Sequence, residues 1–149
     1  MTSVRSFGKS WTQRTQRKIE DRRVSFINHV TGEVVDAGMC VHSALGPGLL
    51  ESAYRACLAH ELRLRHFPVR TEVPVEIEYK GITLSPGYRL DLLVDEQVVV
   101  EVKAVSKLAP VGEAQLLSHV KLGKYRVGLP LNFHVRQLKH GITRVANTL

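Results

Sequence analysis

Two cysteines, one tryptophan and no long apolar run are the first constraints this chain offers. Cys40 and Cys57 stand 17 residues apart without a C-x-x-C pair, so neither a disulfide framework nor a zinc knuckle is supported. Both are expected as small residues of a helical core in a reducing compartment. No stretch reaches the roughly 18 to 20 consecutive apolar residues of a membrane-spanning helix, and the amino-terminal segment lacks the apolar centre of a secretory signal. The expected location is therefore the cytoplasm, with no membrane partner. No internal repeat or linker divides the chain, and 149 residues of which 44% are hydrophobic and 23% charged suit one ordinary domain with its own core.

What the chain has in excess is positive charge, formally +7 with seven neutral histidines. The distribution matters more than the total. Residues 5 to 23 carry Arg5, Lys9, Arg14, Arg17, Lys18, Arg22 and Arg23 against Glu20 and Asp21, which leaves little net charge for the rest. A segment of this kind neutralises phosphates and speeds encounter with nucleic acid; the same composition also describes a solvated tail. Trp11 alone is too little aromatic surface for a base-stacking platform. We place a basic, flexible arm at residues 1–25 and a single domain at 26–149.

Within that domain Val34, Val35, Met39, Val41, His42 and Leu45 recur at helical spacing until Gly46-Pro47-Gly48 interrupts them. A second helix follows, with Leu50, Tyr54, Cys57, Leu58 and Leu62 as its buried face. Val73, Val75, Ile77 and Tyr79 then alternate as a half-exposed strand in which Pro74 argues for an edge. Leu116, Leu117 and Val120 form a short helical stripe ending near Gly123, and Val127, Leu129, Leu131 and Phe133 alternate again. Pro130 in that last strand argues for an edge or a bulge. The order helix, three strands, helix, strand predicts an α/β fold.

The segment between these strands and helices, YRLDLLVDEQVVVEVKAV at residues 88–105, reads as a hairpin with charges in an aliphatic setting. Leu90, Leu92, Val94, Val98, Val100 and Val102 share one parity and predict the core face. Arg89, Asp91, Glu101 and Lys103 share the other. A three-residue turn, Asp95-Glu96-Gln97, pairs Val94 with Val98 and sets Asp91 opposite Glu101 and Arg89 opposite Lys103. Two carboxylates at such close range repel one another. A hard divalent cation, Mg²⁺ or Mn²⁺, held by both and by a backbone carbonyl, relieves that repulsion. Lys103 on the same face can then orient a water or stabilise negative charge in a transition state. The plainer reading is a solvent-facing strip of surface ion pairs. Glu51, in the first turn of the second helix, reads as a macrodipole contact paired with Arg55, and Gln115 and His119 read as the wet edge of their helix.

Taken together, VHSALGPGLLESAY, the hairpin, AQLLSHVKLG and VGLPLNF resemble the GxxExxY proteins, a branch of the PD-(D/E)XK nuclease superfamily, over roughly Phe26 to Val145. The resemblance implies a restriction-endonuclease-like core: a mixed central sheet flanked by helices, with metal-binding acids at a bend. It matches Asp91 to the motif aspartate, Glu101 and Lys103 to the E-x-K, and Glu51 to a helical glutamate placed near the metal. The Val102 carbonyl is the expected backbone ligand. Gln115 matches the glutamine of a Q-x-x-x-Y signature in a related exonuclease-type branch, and His119 stands where that signature has tyrosine. Gln115, His119 and Arg89 are thus expected to contact substrate. No proline precedes Asp91 at the motif position. The implied activity is metal-dependent hydrolysis of nucleic acid, with DNA as the expected partner and a homodimer as the way to cut two strands. The other class of function is a non-catalytic nucleic-acid-binding module or complex subunit with a vestigial site.

Overall fold

The computed structural model describes residues 2–107 and 110–147, with side chains from residue 12 onward except that of Pro110. The side chains of Arg5, Lys9 and Trp11 lie outside the described residues. Helix α1 (Thr2–Leu45) is followed by α2 (Glu51–Leu64), β1 (Val69–Pro74), β2 (Ile77–Tyr79), β3 (Ile82–Leu84), β4 (Arg89–Val94), β5 (Val98–Lys103), α3 (Pro110–Leu122), β6 (Val127–Asn132), a short 3₁₀ turn (Leu138–Gly141) and β7 (Val145–Ala146). The five-stranded sheet runs β1-β4-β5-β6-β7, and β2 pairs with β3 as a separate hairpin. Among the described strands only β5 and β6 are parallel, and α3 makes the crossover between them. This mixed, largely antiparallel sheet between helical layers is the expected restriction-endonuclease-like architecture. None of the helices among the described residues is long and apolar enough to cross a membrane.

Two apolar layers hold the sheet. Ile27, Val30, Val34, Ala37 and Val41 recur every three or four residues along α1 and, with Tyr54, Leu58 and Leu62 of α2, bury Leu92, Val94, Val98, Val100, Val102, Leu129, Leu131 and Phe133. On the other face Leu116 and Val120 of α3 pack with Leu90, Leu93, Val99, Val73 and Val75. Arg65, at the end of α2, binds Asp36 and Glu33 of α1 and Glu61 of its own helix at 2.7 to 3.1 Å, and so fastens the two helices together. Helix α1 passes the boundary placed at 25/26 without a break, and Glu20 pairs with Arg126 just ahead of β6.

Several expectations need correction. Cys40 and Cys57 are exposed, as is Leu50: α1 buries Ala37 and Val41 on either side of Cys40, and α2 buries Tyr54, Leu58, Ala59 and Leu62. Val73 to Tyr79 is not one strand: β1 ends at Pro74, and Ile77 to Leu84 folds back as the small hairpin. β1 does lie at the sheet edge, as Pro74 required. β6 does not, since β5 and β7 flank it, and all six of its residues are buried. Proline is tolerated there because the regular β7 ladder reaches only Val127 and Gly128; beyond it the Pro130 carbonyl accepts the Thr143 N–H at 3.2 Å and a single bridge joins Leu131 to Ile142.

Candidate functional site

The turn of the central hairpin folds as the sequence predicts. Asp95 and Glu96 adopt left-handed φ of 52° and 55°, the Gln97 N–H returns to the Val94 carbonyl, and Val94 pairs with Val98, Leu93 with Val99 and Leu92 with Val100. There the β4–β5 ladder stops. Instead of lying in a regular rung opposite Glu101, Asp91 turns its carboxylate onto the ladder's end and accepts the Val102 N–H at 2.8 Å. Beside it in β1, Glu72 takes a φ of 51° between the Thr71–Leu92 and Val73–Leu90 pairs. The kink swings Leu90 into the α3 layer, away from Leu92, so the expected single apolar face breaks at the acid. Arg89 correspondingly pairs with Pro74 in β1, not with Lys103.

Glu101 lies just past the last rung on β5. Its side chain is 17% exposed, Oε1 lies 4.0 Å from the Lys103 ammonium, and Oε2 is buried without a hydrogen-bond partner. Burial first, then the negative charge of Asp91, push its carboxyl up to about 7; Lys103 and a hydrogen bond from the Asp91 main chain act in the opposite sense, and Glu51 adds further repulsion. Glu101 therefore feels the charge of both Asp91 and Glu51. Both oxygens of Asp91 meet the protein: Oδ2 takes the Val102 N–H, Oδ1 is 3.5 Å from an Arg55 nitrogen, and the other arm of that guanidinium reaches Glu72 at 3.9 Å. The helical pairing expected between Glu51 and Arg55 is thus replaced by contacts across elements. Glu51 accepts the Ala104 N–H at 3.2 Å, just beyond β5.

Local structure explains these positions. The Tyr54 hydroxyl donates to the Gly46 carbonyl at 2.5 Å and accepts the Leu49 N–H at 3.1 Å, while its ring stacks on Phe133 at 4.5 Å. The glycine-proline-glycine loop is thereby tied to the core, and Glu51 opens α2 at a fixed place. Asn132, at the end of β6, receives the Val105 and His134 N–H groups on Oδ1 and donates to the Val105 carbonyl at 2.9 Å, so the chain leaving Lys103 is held against the neighbouring strand. Arg55 and Asn132 were not read as site residues from sequence; the first is hidden by its helical neighbours and the second by a strand of otherwise apolar residues.

A cavity of about 240 Å³ opens between β5 and α3, lined by Gly87, Tyr88, Arg89, Glu101, Lys103, Gly112, Gln115, Leu116 and His119. The structure thus gathers Arg89, Glu101, Lys103, Gln115 and His119, while Asp91 and Glu51 approach the same strand end from the α2 side. His119 is buried, and burial followed by the charge of Lys103 pushes its imidazole below its ordinary value.

With that geometry in place, the comparison with family models is decisive: residues 28–145 match the model of the PD-(D/E)XK nuclease superfamily. The chain belongs to that superfamily. The match spans most of its length, from the second half of α1 to the first residue of β7. No curated protein matches the chain, and no solved structure does. As a superfamily member its donor set is consistent with a hard cation. Among the described residues no three His, Cys, Asp or Glu side chains cluster as a ready ligand set. Mg²⁺, however, is ordinarily held by one or two carboxylates with carbonyl and water oxygens, and the orphaned Glu101 oxygen beside Asp91 supplies such a donor.

Proposed function

We infer that this superfamily member is a metal-dependent nuclease of the GxxExxY branch, hydrolysing phosphodiester bonds of nucleic acid with DNA as the expected substrate. The observation carrying this reading is the buried, unpartnered oxygen of Glu101, in a carboxyl whose ionisation is suppressed by burial and by Asp91. A sheet gains nothing from such a group on its own; a cation bound to it removes the cost. Asp91, Glu101 and the Val102 carbonyl are the proposed ligands, with Glu51 alongside. Bound there, Mg²⁺ or Mn²⁺ supplies Lewis acidity at the phosphodiester.

The remaining roles fall to the chain itself. Lys103 offers N–H donors to the attacking water and to the phosphoryl oxygens as charge accumulates on them. Water adds at phosphorus, the bond to one ester oxygen breaks, and that oxygen leaves with a proton; no covalent link to the protein forms. Arg89 and Gln115 are the proposed substrate contacts at the rim, and His119, buried, lines the wall behind them. The test is Mn²⁺-dependent cleavage of plasmid and single-stranded DNA, expected for the parent and lost in Asp91→Ala and Lys103→Ala proteins that keep the parental circular dichroism. Equal cleavage by parent and variants removes the assignment.

One observation favours a non-catalytic binding module instead. Arg55 already neutralises Asp91 in part, an arrangement that stabilises the acid without metal. That reading predicts nucleic-acid binding with no turnover in any divalent cation.

A further inference from the structure

The 240 Å³ cavity contains an aromatic pair that the catalytic reading does not use. Tyr88, ahead of β4, lies against the His119 ring of α3 with centroids 5.2 Å apart and planes inclined by 34°. His119 is 7% exposed and Tyr88 44% exposed, so histidine forms the buried backing and tyrosine the accessible surface. The phenol ring is therefore held from behind, with its outer part open beside Arg89, Gln115 and Lys103. Its main chain is fixed as well, since the Tyr88 carbonyl accepts the Val75 N–H at 2.8 Å.

Each component suits one unpaired nucleotide. A tyrosine ring stacks on any base, a carboxamide reads a base edge with both donor and acceptor, and Arg89 and Lys103 are cations for the flanking phosphates. The size sets a further limit. At about 240 Å³ the cavity is smaller than ordinary ligand pockets of roughly 300 Å³ or more, which leaves room for a single base and none for a base pair. Pairing also hides the base faces that the ring would contact.

We propose that this cavity is a subsite for an unpaired base, stacked on Tyr88 with Gln115 at its edge, and that the substrate is single-stranded nucleic acid or an unpaired end. The inference rests on the nuclease reading only for its location beside Glu101 and Lys103. Binding can be measured without chemistry, using anisotropy of a labelled single-stranded oligonucleotide and its duplex, first in chelator and then in Ca²⁺, with 2-aminopurine as an internal reporter of stacking.

The parent is expected to bind the single strand at least about tenfold more tightly than the duplex and to quench 2-aminopurine. Tyr88→Ala and Tyr88→Leu are expected to lose about tenfold in single-strand affinity, and Tyr88→Phe to keep it. Tyr88→Leu retains apolar cover over His119, which separates lost stacking from lost folding. Duplex preference, absence of binding in both conditions, or single-strand binding indifferent to Tyr88→Leu overturns the subsite. The same oligonucleotides in Mn²⁺ separate the two ideas. Cleavage without Tyr88 dependence retains the nuclease and removes the subsite, whereas Tyr88-dependent binding without cleavage does the reverse.

Discussion

Arg55 stands 3.5 Å from Asp91, close enough for its guanidinium to occupy the side of the carboxylate that a cation would share. The two residues come from α2 and β4, and Glu72 holds the other end of the arginine. A divalent ion must therefore compete with an internal cation. Arg55→Ala is expected to tighten Mn²⁺ binding about three- to tenfold in calorimetry, the contact being partly exposed and so partly screened. Weaker binding in the variant would mean that Arg55 orients Asp91 for the metal.

Glu101 makes stability pH-dependent in the metal-free protein. Its folded-state carboxyl titrates near 7 against an ordinary value of 4.5, so between those limits the folded chain binds more protons than the unfolded chain. Stability contributed by this group is present below about 4.5 and is lost as pH rises through 7. Denaturant unfolding in chelator should show the parent losing up to roughly 3 kcal/mol over that window relative to Glu101→Gln, which lacks the titration. Identical pH profiles for the two proteins would contradict the burial described for this acid.

Tyr54 is placed to act through the loop that presents Glu51. Tyr54→Phe keeps the stack on Phe133 and removes both hydroxyl bonds, leaving the Leu49 N–H and the Gly46 carbonyl to find other partners. A loss of about 1 to 3 kcal/mol in thermal or denaturant unfolding is expected, with a fall in Mn²⁺ affinity as Glu51 loses its fixed position. An unchanged melting curve would show that the loop is held by other means.

Much of this arrangement was legible because strand periodicity is strict. Val94–Val98 pairing followed from the turn length, and the alternation of Val127, Leu129, Leu131 and Phe133 marked one shared face of β6, which the fold packs in the α1–α2 layer. The break at Asp91 was not legible, since it depends on Glu72 in another strand adopting a left-handed φ, and no local pattern in β4 records it. Leu90 changed layers for that reason. Arg55 was assigned to Glu51 by helical spacing, but the fold brings two further acids within reach from β1 and β4. Cys57 fits the apolar spacing of α2 and yet faces outward, because the stripe against the sheet is filled by Tyr54, Leu58, Ala59 and Leu62. Asn132 became visible only once parallel pairing set it beside Lys103.

Metal-dependent hydrolysis at this site requires one ion shared between Asp91 and Glu101, and the anomalous scattering of a Mn²⁺-soaked crystal tests that most directly. The predicted result is a single strong peak within coordination distance of a carboxylate oxygen from each acid, with Arg55 withdrawn from Asp91. Ordered carboxylates with no peak between them at millimolar Mn²⁺, and Arg55 still in place, would contradict it.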